Sequence, residues 1–131
     1  MKVTLDTNVL ARVVVDDSEA SAQCAVARKA LASATAIIIP QVVQIELCWL
    51  LESAFGLRHA EIVNVLRALQ SNPRIELEQR TTFDATLEQF ASDTAWEFAD
   101  CMIATVAAKH DSKLLTFDKK LARLIGSTVM R

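Results

Sequence analysis

The chain has 131 residues, 52% of them hydrophobic and 23% charged, with a formal net charge of −2. That length suits a single domain with its own core, needing no disulfide or metal staple, and the apolar content excludes disorder. An estimated pI near 5.6 excludes nucleic-acid binding through bulk positive charge, so any such role rests on local patches or bound cations.

Residues 2–6 (KVTLD) read as a short buried strand that stops in a carboxylate. Residues 8–15 read as a helix, and 18–33 as a longer, Ala-rich one with Ala22, Val26 and Ala30 near one face. A β-branched strand at 36–39 (AIII) is closed by Pro40, which suits the first turn of a helix over 41–54 that Gly56 ends. Residues 59–71 form an amphipathic helix with Ile62, Leu66 and Leu69 at helical spacing. After the Asn72-Pro73 turn, 74–78 (RIELE) alternates like a half-buried strand. A helix follows at 82–92. Thr94 and Glu97 fit a capping box opening a helix that runs to about His110. Residues 113–117 (KLLTF) read as a strand, Asp118 starts a short helix to about Ile125, and a last strand is expected near 127–130. Strands alternating with helices predict an α/β fold with a mostly parallel sheet of about four or five strands.

The carboxylates carry the chemistry. Asp6 and Asp118 both stand where a strand ends and a helix begins, the edge at which open α/β sheets bind ligands. The plainer reading is that each caps its helix. Glu46 lies among Val42, Val43, Ile45, Leu47, Trp49 and Leu50, which predicts a buried acid that must be ion-paired, protonated or bound to a cation. Asp100, within FADCMIA, is either a ligand or a first-turn acid favoured by the helix dipole. Glu97, three residues before it, is either a further acid on that face or part of the capping box. Carboxylates gathered in this way repel one another, and hard oxygen donors without thiolate or imidazole suit Mg²⁺ or Mn²⁺ and phosphodiester hydrolysis.

Other chemistries lack their parts. There is no P-loop, GxGxxG, GxSxG or HExxH. Cys24, Cys48 and Cys101 are widely spaced with no CxxC, which excludes a disulfide framework or thiolate metal site and fits a reducing, cytoplasmic setting. His59 and His110 read as surface residues. Asp6, Asn8 and Arg12 interrupt the apolar start, so no secretory leader is expected, and no uncharged apolar run nears the roughly 18 residues of a membrane span.

Four segments in order, LDTNVLARVVVDD, PQVVQIELCWLL, FADCMIA and LLTFDKKLARL, resemble those of the PIN-domain ribonucleases, in particular the VapC-type toxins of toxin–antitoxin pairs. The resemblance spans nearly the whole chain. It implies one PIN domain over 1–131 with a Rossmann-like three-layer α/β/α architecture. It implies that Asp6, Glu46, Asp100 and Asp118 hold Mg²⁺ or Mn²⁺, with Asn8 and Thr116 as helpers. Many relatives carry Asp at the position of Glu97, a longer acid here, which stays secondary. The implied reaction is metal-dependent endonucleolytic cleavage of RNA, by a cytoplasmic homodimer that a cognate antitoxin inhibits. Arg12, Lys119, Lys120 and Arg123 are candidate phosphate contacts, with a solvated helix face as the plain alternative. Two bound Mg²⁺ would reverse the sign of the net charge. No interleaved aromatic patch is visible, so base readout is not predicted. The alternatives are a PIN fold kept as a binding protein with a weak site, or another acidic-site α/β phosphohydrolase.

Overall fold

The computed structural model describes residues 1–126. The strand expected near 127–130 lies outside the described residues. Three strands, β1 (Lys2–Thr4), β2 (Ala36–Ile39) and β3 (Ile75–Leu77), form a parallel sheet in sequential order, with Val3 opposite Ile37 and Ile38 opposite Glu76. Parallel neighbours need long crossovers, and helices supply them. Helix α1 (Thr7–Val14), a 3₁₀ turn (Ser18–Ala20) and α2 (Ser21–Ala32) link β1 to β2. Helices α3 (Gln41–Ser53) and α4 (His59–Ser71) link β2 to β3. Helices α5 (Arg80–Ser92), α6 (Phe98–Lys109) and α7 (Lys119–Leu124) follow. Helix α5 packs on α4 and α6, and α1 packs on α2 and α3.

The core draws Ile37, Ile39 and Leu77 from the sheet and Leu10, Leu47, Leu51, Leu66, Phe83 and Leu87 from the helices. Each such side chain contributes about 1.5–3 kcal/mol through burial. The Phe83, Phe90 and Phe98 rings extend it between α5 and α6, with Phe90 and Phe98 edge to face at 5.6 Å. One polar group is buried with purpose. Gln44 of α3 donates to the carbonyls of Ile39 (3.1 Å) and Glu78 (2.8 Å), pinning the helix start to the ends of β2 and β3. Gly56 stops α3 from a left-handed φ of 64°, which lets the Leu57 N–H reach the Leu51 carbonyl at 2.9 Å.

Three expectations need correction. Residues 113–117 form a single bridge, at Thr116, followed by a bend at Phe117, so the described residues hold three strands rather than four or five. Leu115 and Phe117 stand in solvent, and Thr116 Oγ1 accepts from the Asp118 N–H at 2.9 Å, a local turn that competes with a ladder. The capping box at Thr94 does not form. Asp93 takes the Ala95 N–H instead (2.8 Å), Trp96 buries, and α6 starts four residues later at Phe98 with Glu97 as its N-cap residue. Helix α2 turns inward with Cys24, Ala27 and Leu31, leaving Val26 exposed on the outer side.

Candidate active site

Asp6 follows β1 and caps α1, its Oδ1 accepting from the Val9 N–H at 3.0 Å. Asp118 caps α7, its Oδ1 accepting from the N–H groups of Lys120 (2.9 Å) and Leu121 (3.1 Å). The capping reading therefore holds for both. It does not exhaust either residue, because a carboxylate has two oxygens. Among the described residues Oδ2 of each has no hydrogen-bond partner, so the cap fixes the side chain and leaves a hard donor over. Thr116, a predicted helper, bonds the Asp118 backbone as noted above. Asn8 is exposed and lines a groove with Asp6 between α1 and α2.

Glu46 is exposed, contrary to expectation. Its apolar neighbours in sequence do not all face inward. Val43, Leu47 and Leu51 fill the core, while Val42, Glu46 and Trp49 form an outer stripe at helical spacing. Among the described residues no basic side chain pairs with Glu46. Thr7 Oγ1 donates to its Oε2 at 3.0 Å, which ties α3 to the residue next to Asp6. Thr7 was not singled out by sequence reasoning, although it stands inside the DTN triplet.

Asp100 lies half-buried in the first turn of α6. Burial, then the negative charges of Glu97 and of Asp118, push its carboxyl above the ordinary value, with Lys120 pulling the other way. That electrostatic coupling brings Asp100, Glu97, Asp118 and Lys120 together. Glu97, freed from the capping box, lines a cavity of about 450 Å³ with Glu46 and Lys120, which connects this group to the Glu46–Thr7 pair. The donor set is carboxylate oxygen, which fits Mg²⁺ or Mn²⁺. Among the described residues no three His, Cys, Asp or Glu groups stand close enough to hold an ion as placed. Two of the cysteines, Cys48 and Cys101, offer no thiolate. All three cysteines are buried, burial raises the Cys48 thiol, and burial and then Asp100's charge push Cys101 up to about 12.

The candidate cations separate into two groups. Arg12 is committed elsewhere, to Gln23 Oε1 (3.0 Å) and Asp17 Oδ2 (3.3 Å), clamping α1 to α2. Lys119, Lys120 and Arg123 are exposed on α7 with no ion pair among the described residues. His59 also departs from its surface reading. Its ring is half-buried on Phe90, with centroids 4.3 Å apart, and its Nε2 has no hydrogen-bond partner among the described residues. His110 is exposed, as expected.

A parallel α/β sheet with acids at the starts of the helices that follow its strands falls in the class that binds ligands beyond the strands' carboxyl ends. The family model of the PIN domain matches residues 3–126, and the chain belongs to the PIN domain family. PIN domains are in general metal-dependent nucleases that act on RNA. Comparison with curated proteins and with solved structures gives no match. No helix among the described residues is long and apolar enough to cross a membrane.

Proposed function

We propose that this chain is a divalent-metal-dependent endoribonuclease, of the VapC type, acting in the cytoplasm as the toxin of a toxin–antitoxin pair. The observation that carries the reading is the gathering of Glu97 and Asp118 around the half-buried Asp100, with Glu97 and Glu46 lining one cavity, an arrangement that a cation relieves. Asp6, Glu46, Asp100 and Asp118 would hold Mg²⁺ or Mn²⁺, with Glu97 secondary. The metal supplies Lewis acidity toward the phosphate and charge to offset the leaving 3′ oxygen. Thr7 holds Glu46, Thr116 holds Asp118, and Asn8 stands beside Asp6 as a helper. Asp6 or Asp100 orients the attacking water. Lys119, Lys120 and Arg123 meet the phosphates of the strand. The α1–α2 groove, next to Asp6, is the seat for an apolar antitoxin segment. The exposed Ile103 and Val106 of α6 are the surface for a second copy.

The test is cleavage of a mixed RNA pool under Mg²⁺ or Mn²⁺ titration, by wild type and by Asp6→Asn and Asp100→Asn. Cleavage should require metal. It should fall in both variants by more than the ~10–100-fold that loss of even an outer-sphere partner costs. Undiminished cleavage in both variants, or cleavage in chelator, overturns the reading.

A further inference from the structure

The cavity shared by Glu46 and Glu97 continues away from the acids into an aromatic recess. Trp49 stands three residues after Glu46 on α3, with 69% of its surface exposed. His59, stacked on Phe90, and the buried Trp96 and Phe98 form the rest of the apolar wall. The exposed indole and these rings together give the cavity a flat aromatic side, next to the acids. The volume, about 450 Å³, is that of a small-molecule site.

We propose that this recess takes an unpaired base of the RNA strand, next to the phosphate held at the acids, with the base stacked on Trp49. The proposal rests on the ribonuclease reading and names what selects the strand. Charge decides which part of a nucleotide enters. Glu46, Glu52 and Glu97 outnumber Lys120 in the lining, so a phosphate is held only where a cation offsets Glu46 and Glu97, and the recess beyond them, walled by Glu52 and the aromatic rings, repels it. A neutral, planar group carrying hydrogen-bond donors is accepted, and a nucleobase is such a group. Continuity decides which ligand supplies it, because any strand with its phosphate on Glu46 and Glu97 has a base within reach of Trp49. A base held in a duplex cannot enter, so the recess selects single-stranded or looped RNA. A flat stacking wall tolerates any base, which reconciles the recess with the lack of a sequence-reading motif.

The experiment uses cleavage-dead Asp100→Asn protein and an end-labelled RNA, single-stranded or annealed to its complement, followed by fluorescence anisotropy in Mg²⁺. Single strand should bind more tightly than duplex. Adding Trp49→Ala should weaken single-strand binding about ten-fold or more, the scale of one lost base–aromatic stack, while Trp49→Phe keeps most of it. The exposed position of Trp49 leaves the fold intact, as circular dichroism checks. Equal binding of single strand and duplex, or an unchanged affinity in Trp49→Ala, overturns the base recess while metal-dependent cleavage by wild type still upholds the nuclease. Wild type that cleaves no RNA overturns both. An arginine-bearing peptide that quenches Trp49 when RNA does not gives the recess to a protein side chain and overturns the proposal.

Discussion

Asp100 shows at the scale of one residue what the site costs the fold. Its carboxyl is held above the ordinary value by burial and by Glu97 and Asp118. The native metal-free protein therefore holds this proton more tightly than the unfolded chain does. The resulting stability is fully present below the unfolded carboxyl's range and is lost as pH rises through the raised native value. Asp100→Asn removes that dependence. In chelator at neutral pH the variant should be the more stable protein, by about 1 kcal/mol, the usual return for relieving an active-site conflict. The gap should close toward acid pH. Adding Mn²⁺ should raise the melting temperature of wild type by mass action and leave the variant's unmoved. Thermal melts across pH, with and without metal, check all three. A variant that melts lower than wild type in chelator at neutral pH removes the repulsion argument.

At the scale of the element, the helices were legible because periodicity and turn chemistry agree there. Pro40 and Gly56 bracket α3 in both sequence and structure. Gly56→Ala should cost about 1–2 kcal/mol, the price of a left-handed L-residue, since a methyl group there meets nothing within 4 Å. RNA cleavage should be unchanged, and a denaturant titration reads the loss. An unaltered midpoint would mean that the stop is set by Leu57 packing instead. Where local and tertiary signals compete, the sequence misleads. Thr94 and Glu97 spell a cap, but Asp93 takes the turn and the burial of Trp96 fixes it. KLLTF spells a strand, but Thr116 spends its hydroxyl on the next turn. Apolar neighbours made Glu46 look buried, because position along a helix does not say which of two apolar stripes faces the core. The places of Asp6 and Asp118 were legible, since the starts of α1 and α7 are marked in sequence. The Thr7–Glu46 bond and the cavity beside Trp49 were not, because they exist only across α1, α3 and the turn before α6.

At the scale of the whole molecule, the groove between α1 and α2 is one of the apolar regions that the described residues leave uncovered, and it has a proposed occupant. The outward side of α2 meets α1 in a groove of about 480 Å³ that includes Asp6, Val9 and Val26. With Val26 exposed to 69%, Val26→Asp should leave the fold and RNA cleavage unchanged. It should weaken binding of the proposed antitoxin at least ten-fold, the scale of one interface anchor. Co-purification and inhibition assays read the two effects separately. An antitoxin held as tightly by the variant would move the partner off this groove.

The sequential order of the sheet carries a consequence for synthesis. β1 and β2 can pair once the first 39 residues have emerged, and β3 joins at Leu77. Each pairing is with the strand made just before it, so the scaffold can form while translation continues. Asp6 and Glu46 are then in place, while Asp100 and Asp118 are still to be added. On the proposed reading, a nascent chain with its three strands paired carries Asp6 and Glu46 but gains Asp100 and Asp118, and with them the full ligand set, only when α6 and α7 arrive.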